Sequence, residues 1–557
     1  MSRALVATLA LMTAGTLAFR TGIMDSGYWV DEGITVGIAS HDFADIPRLL
    51  RQDGSPPLFY LLMHGWMAVA GTGEAATRAP ALGFALLAVP VSWWAGCALF
   101  GRRAGIVAAA GAAGCPFLTY YAQETRMYSL VALLSVLACA SFVLAFVHGR
   151  RRHLWALVGW TVLLLYTHNW ALFLAAGMAV AWAWLWRRGR VAGRDGAVVA
   201  AVVAVLYAPW GPSLAFQAAN TAAPWAARPT PLHLLSVPGI LFGYVAAPAL
   251  ALVAYGVLRR RGAAEDVRLL GLIAGVAATL GFLASQLEPA WAPRYLAVVF
   301  GPMLLAAAAV LSRGTRWTWA ALAGVVVVWL ASGPAPAKSN AREVSVAVAP
   351  ALRAGDVVAC TVPEQVPVVS RYLPRDLQFL TPLGMVGDPG VTDWRDGLAR
   401  LRAGNAERVL APIVDRLAPG RRILLVTPAR EGRPSQAPWA RAVRVRSRDW
   451  RDRLLLDRRL RRLGRAPRSL PGWRQNVRMW LFAVRSTRIR VTVAPTHHDP
   501  GGSHAPPSPS RHPPAARDRG PGGGPPGSDG RERPRRDEEE APQRRPRRPG
   551  GPGGDHG

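Results

Sequence analysis

Residues 56–71 read PPLFYLLMHGWMAVAG, and the architecture of the whole chain turns on how they are read. The run is apolar, yet at roughly 15 residues it falls short of the ~20 that a helical span needs, and it carries His64. Counted as a span, it would put every later arginine cluster on the opposite side of the membrane from Arg3. Read as a helix lying in the outer interface, where Trp and Tyr sit comfortably, it leaves all of them on one side. The charge pattern favours the interfacial helix.

That pattern is visible along the whole chain. Of 557 residues 51% are apolar and 18% charged, and 21 are Trp. The mean hydropathy of +0.18 understates the apolar content, because the charges are segregated. Apolar runs lie at 4–19, 79–100, 104–121, 127–147, 154–168, 170–186, 197–213, 235–258, 267–287, 294–312 and 317–333. Arginine clusters (GRR 101–103, GRRR 149–152, RRGR 187–190, RRRG 259–262, SRGTR 312–316) fall at every second junction. Arg-rich short loops stay cytoplasmic. The expectation is a polytopic helical membrane protein of about eleven spans, N-terminus inside and C-terminus outside, with 21–78 as one large outer loop. The first run offers no small-x-small cleavage site, so it reads as an uncleaved anchor.

Past residue 333 the period changes. GDVVAC (355–360), LQFLTP (377–382) and ILLVTP (423–428) read as buried strands, with helix-like segments at 342–353 and 393–418 and a late strand in VRMWLFAVR (477–485). Alternation of this kind predicts a small extracytoplasmic α/β domain with a largely parallel sheet. The expected boundaries are 1–334 for the membrane domain, 335–490 for the α/β domain and 491–557 for a disordered Pro/Gly/Arg-rich tail that lacks the apolar content to fold. The net charge of +31 sits mostly in the cytoplasmic loops and after residue 420, which argues against a nucleic-acid partner. Lysine occurs once, at Lys338. Four cysteines show neither a pairing framework nor zinc-type spacing.

With this topology Asp31, Glu32, Asp53, Glu124, Arg126, His168 and Arg294 all face outward. No expected span carries a charge at its middle, where ion-coupled carriers need one. Carboxylates and arginines gathered at one interface suit chemistry on a lipid head group, such as a sugar on a polyprenyl phosphate. Transfer of that sugar needs a carboxylate base, worth roughly 10²–10⁴ in rate, and cationic donors for the departing phosphate. Asp31 is the candidate base and Glu32 its neighbour, orienting it, holding the sugar or raising its pKa. Arg126 and Arg294 are candidates for the phosphate; Asp53, Gln123, Glu124, Tyr128, His168 and Tyr295 are candidate substrate contacts from the same outer loops. Each has a plainer reading: a solvated carboxylate pair, a snorkelling arginine, a turn-forming aspartate, an interfacial histidine.

"DE" at 31–32, QDGSPPLFYLL at 52–62, GEAATRAPA at 73–81 and QETRMY at 123–128 together resemble the GT-C fold glycosyltransferases that use polyprenyl-phosphate sugars, above all the family 39 group of protein O-mannosyltransferases and aminoarabinose transferases. The resemblance covers about residues 1–335. It implies that Asp31 is the catalytic base and that the PPL segment is a juxtamembrane helix. The O-mannosyltransferase pattern HPPLGK is broken, since Ser55 and Phe59-Tyr60 stand in place of its His and Gly-Lys. The implied activity is inverting transfer from a polyprenyl-phosphate donor to an envelope lipid, glycan or protein on the outer face of a bacterial cytoplasmic membrane. Two alternatives stay open: a flippase for lipid-linked saccharides, and a non-catalytic scaffold. No cofactor is required; a divalent metal stays open, with Asp31, Glu32, Glu124 and His168 as ligands.

Overall fold

The structure, a computed structural model, describes residues 12–16, 21–221, 223–331, 337–429, 437–465 and 476–485. Most of the first expected span and all of the expected tail lie outside these residues. The described residues form one compact unit.

In their described residues the ten apolar runs from residue 79 onward are mainly helical, with interruptions at Cys115, Ser236 and 243–245 among others. Among the described residues five helices are long and apolar enough to cross a membrane: Glu74–Phe100, Tyr128–Val147, Gly193–Asn220, Glu265–Leu287 and Pro293–Leu311. Arg152–Thr167, Ala171–Arg187, Ala246–Arg261 and Arg316–Ala331 are shorter, at 16 or 17 residues. The decisive 56–71 run becomes the helix Leu58–Ala70, 13 residues long. At 1.5 Å per residue it spans roughly 20 Å, less than the ~30 Å of a bilayer core. Small residues let the helices approach closely: a methyl on Gly301 would lie 2.4 Å from the Ser135 carbonyl carbon.

The C-terminal region carries a six-stranded sheet: β1 Val357–Cys360, β2 Gln378–Thr381, β3 Gly384–Met385, β4 Arg422–Pro428, β5 Leu460–Arg465 and β6 Val477–Val484. Its order is β3-β2-β1-β4-β6-β5. The sheet is mixed and not largely parallel: β1 runs parallel to β2 and β4, while β3 and the β5–β6 pair are antiparallel. The expected strands are all present, and β6 sits inside the sheet because its run of Val, Met, Trp and Phe is buried between β4 and β5. The helix Pro438–Leu456, unforeseen in the sequence, covers one face with the fully buried Trp450.

Strand alternation divides the core into two faces. Val357, Ala359, Ile423, Leu425 and Phe482 pack with Trp450 and Leu454. Val358, Cys360, Leu424, Val426 and Met479 belong to a core that continues through the helix Val366–Tyr372 into the 21–78 segment and the apolar helices. The contact runs through helix Val30–Ala39, whose glycines admit the sheet domain. A methyl on Gly33 would sit 2.5 Å from a Val368 methyl, and one on Gly37 would sit 2.0 Å from the Gly390 carbonyl oxygen.

Gly37→Ala is therefore expected to destabilise the protein by about 1–3 kcal/mol through overpacking. Gly65→Ala, in a helix where the added methyl meets nothing within 4 Å, is expected to be neutral or to stabilise by up to about 1 kcal/mol. Thermal unfolding in detergent checks both; equal effects would contradict the packing.

Candidate functional site

Asp31 and Glu32 are neighbours in the first turn of helix Val30–Ala39. Consecutive helical residues point about 100° apart, so the two carboxylates diverge. Glu32 turns inward and is fully buried. Arg78, near the start of helix Glu74–Phe100, grips it bidentately: Nε donates to Oε1 at 2.7 Å and Nη2 to Oε2 at 2.6 Å. Arg78 Nη1 also donates to the carbonyls of Ile23, Met24 and Ser26, at 3.0, 2.7 and 2.6 Å. Glu32 Oε1 accepts the Thr125 N–H at 2.9 Å, and Oε2 accepts the Trp29 N–H at 3.3 Å. One buried pair thus ties the 23–32 segment to the loop that carries Arg126.

Asp31 turns the other way, into a cavity of about 370 Å³. Its Oδ2 is buried, makes no hydrogen bond and lies 3.5 Å from Arg294 Nη2. Arg126 lines the same cavity, its Nη1 donating to Thr35 Oγ1 at 2.8 Å and to the Tyr60 hydroxyl at 3.1 Å. The Tyr60 hydroxyl donates in turn to Asp53 Oδ2 at 3.3 Å. Burial raises the Asp53 carboxyl above its usual range against the pull of Arg126. Arg294 stacks 4.6 Å from the Trp225 ring centre. His168 Nδ1 accepts the Trp170 N–H at 3.1 Å, which leaves the ring proton on Nε2. Burial, then Arg126 and Arg294, push its pKa down to about 3, so it is neutral at physiological pH. The Nε atoms of Arg126 and Arg294 and Asn169 Oδ1 are also buried without a hydrogen-bond partner. Unused buried donors and acceptors converging on one cavity are what a ligand-binding site presents before the ligand arrives.

Of the expected site residues, Asp31, Asp53, Arg126, His168, Arg294 and Tyr295 line this cavity. Tyr128 backs it, its ring 5.9 Å from His168 and 6.4 Å from Tyr295. Three lie elsewhere. Glu32 is spent on Arg78. Gln123 accepts the Ile23 N–H at 3.1 Å and donates to the Thr119 carbonyl at 3.0 Å. Glu124 is ion-paired, in the interior, with Lys338. These three hold the walls and do not reach the cavity. The sequence reading missed Arg78, whose signal was an arginine inside GEAATRAPA, and the cavity residues Asn169, Gln217, Trp225 and Trp394. Trp394 comes from the α/β domain and had no sequence signal.

The same geometry answers the metal question. With Glu32 and Glu124 neutralised by their own cations, the ligand set expected from sequence does not assemble. Among the described residues no group of three or more His, Cys, Asp or Glu could hold a metal ion. Two guanidiniums share the cavity with Asp31, Asp53, His168 and Glu288, and they are the groups there that can receive an anion. The described residues do not assemble a metal site of their own.

No family model matches this chain, and no curated protein matches it by sequence. Solved structures do. ArnT from Cupriavidus metallidurans in the apo state aligns with a TM-score of 0.51 at 14% identity, covering 76% of this chain and 93% of ArnT. The same enzyme bound to undecaprenyl phosphate aligns with a TM-score of 0.57 at 14% identity, covering 86% of this chain and 98% of ArnT. The likeness establishes the fold: a polytopic membrane architecture of GT-C type, as the resemblance implied.

Two outcomes follow for the buried groups. Glu32→Ala, which strands the Arg78 charge, is expected to cost about 3–5 kcal/mol, and joint replacement of Glu32→Leu and Arg78→Met to recover part of that loss; unfolding in detergent measures both. Glu364, whose Oε1 accepts the Trp439 indole N–H at 2.9 Å, is lifted by burial to about 7 from an ordinary 4.5. Between these values the folded protein keeps a proton that the unfolded chain has released, so this group makes stability fall as pH rises through the window. Glu364→Gln is expected to match the wild type at pH 4 and exceed it at pH 8 by on the order of 1–3 kcal/mol.

Proposed function

We propose that the chain is an inverting glycosyltransferase that takes a sugar from a polyprenyl-phosphate donor at the outer face of a bacterial cytoplasmic membrane. The observation that carries this reading is the Asp31 carboxylate, whose buried Oδ2 makes no hydrogen bond and lies 3.5 Å from Arg294 in a cavity shared with Arg126. The undecaprenyl phosphate bound to ArnT, a structure of the same fold, supports the choice of donor.

In this reading Arg126 and Arg294 receive the donor phosphate, and neutral His168 offers its Nε2 proton to the phosphate or to a sugar hydroxyl. The acceptor hydroxyl gives its proton to Asp31 Oδ2. Its oxygen bonds to the anomeric carbon on the face opposite the phosphate, and the carbon–oxygen bond to phosphate breaks with its electron pair going to the leaving group. The two guanidiniums take up the charge that develops on the departing polyprenyl phosphate. Asp53, protonated more readily than an exposed carboxylate, accepts the Tyr60 hydroxyl hydrogen bond and keeps Arg126 aimed.

The proposed topology has eleven spans, N-terminus inside and the sheet domain outside. The proposed divisions are 1–334, 335–490 and 491–557. Glu32, Gln123 and Glu124 act in this reading by positioning the cavity walls.

Membranes containing the chain, supplied with radiolabelled polyprenyl-phosphate sugars, provide the test. Asp31→Asn is expected to abolish transfer with expression intact, and an active Asn variant would sink the base assignment. Arg294→Ala and Arg126→Ala are each expected to lower turnover of donor by about 10²–10³. Lipid flipping without transfer in the same membranes would favour the carrier reading instead.

A further inference from the structure

A second cavity, of about 230 Å³, lies on the far side of one wall of the Asp31 cavity. It opens at the carboxyl ends of the parallel strands β1 and β2: Pro363 follows β1, and Thr381 closes β2. Ligands of open α/β sheets bind at that end of the strands. The wall between the cavities is thin. Gln52 and Asp393 face the second cavity, while their chain neighbours Asp53 and Trp394 face the first. The Trp394 N–H donates to the Gln52 carbonyl at 3.1 Å and closes the strap.

The lining selects a ligand class. Its charges are already matched: Asp393 accepts from Arg395 Nε at 2.8 Å and from Arg400 Nη1 at 2.9 Å, and Asp388 pairs with His41 at 2.6 Å. Neither an anion nor a cation is called for. Val366, Leu383, Val386 and Val391 supply apolar surface beside these polar groups. Thr392 is 5% exposed, lines the cavity, and its hydroxyl is buried without a hydrogen-bond partner. A fixed hydroxyl awaiting a partner, among charge-neutral polar groups and aliphatic patches, suits a neutral polyhydroxylated ring. The edge strand β3 contributes Gly384 and Met385 to the same lining. Trp394, largely buried and with its ring 5.0 Å from that of Trp439, lines the first cavity next to Asp393, which lines the second.

We propose that this second cavity is a saccharide subsite that holds the non-reacting part of a glycan acceptor, while the acceptor's terminal residue enters the Asp31 cavity across Trp394. The inference rests on the glycosyltransferase reading and names its acceptor class: a carbohydrate of at least two residues, not a bare lipid or a polypeptide.

The test uses the full chain in nanodiscs, with Asp31→Asn to prevent turnover. The probes are methyl mannoside and methyl arabinoside with the matching di- and trisaccharides, followed by ligand-observed NMR. The longer saccharides are expected to bind at least tenfold tighter than the monosaccharides. Thr392→Val is expected to reduce that advantage about fivefold, the worth of one hydrogen bond, while leaving the melting temperature unchanged or raised because it removes an unpaired buried hydroxyl. A purely structural Thr392 would give the stability change without the binding change. Thr392→Phe, which fills the cavity, is expected to erase the length preference. The proposal is overturned if no length preference exists in this panel, or if Thr392→Val folds and retains it in full. Transfer that persists in Asp31→Asn overturns the glycosyltransferase mechanism itself, an outcome separate from the binding result.

Discussion

The site depends on the buried pair of Glu32 and Arg78. Two opposite charges removed from water stabilise a fold only if every remaining donor and acceptor is also satisfied. Here they are: Arg78 gathers four backbone carbonyls and both Glu32 oxygens, and Glu32 collects two backbone N–H groups. The result is a fixed joint between the start of helix Val30–Ala39, the start of helix Glu74–Phe100 and the loop at Thr125. Because Asp31 and Arg126 are each one residue from an atom of this joint, their separation across the cavity follows from it. In the proposed mechanism the pair does no chemistry and sets where Asp31 and Arg126 stand.

A second joint brings in the other half of the chain. The single lysine, Lys338, is buried against Glu124 with its ammonium 4.1 Å from the Tyr120 ring centre and 5.4 Å from that of Trp29. It lies where the chain leaves the membrane helices for the sheet domain. Arg342 beside it reaches the Asp25 carbonyl at 2.7 Å, and Tyr372 donates to Glu74 at 2.8 Å. The sheet domain is consequently a wall of the site, anchored by charges to the same outer loop that Arg78 organises. Its reach extends to the cavity through Trp394.

What the sequence disclosed and what it withheld have separate physical causes. Asp31 was legible through the family resemblance, His168 as a titratable residue closing an apolar run, and Arg126 and Arg294 as arginines in short loops expected outside, against the usual charge asymmetry. Glu32 was assigned beside Asp31 because adjacency in sequence was taken for adjacency in space, and helical rotation separates the two. Glu124 was expected at the substrate because its partner, Lys338, lies 214 residues away. The strands of the sheet domain were legible as short apolar runs, but their alternation with helices hid the antiparallel β5–β6 pair. Helix Pro438–Leu456 was hidden by its many arginines, which leave Trp439, Val443, Trp450 and Leu454 as an apolar stripe too sparse to recognise. Trp394 lay beyond sequence reasoning, since only tertiary structure brings it to Asp31.

The contribution of Trp394 to the Asp31 cavity has a consequence for biogenesis. Asp31 emerges from the ribosome more than 360 residues before that tryptophan, which at ~5–20 residues per second is a delay of roughly 20–70 s. Throughout that interval the carboxylate and its arginines lack the wall that Trp394 supplies. A chain that stops short of residue 394 therefore leaves this cavity open on one side. Closure waits for the sheet domain, so a later part of the chain completes a site whose first residue is made near the beginning.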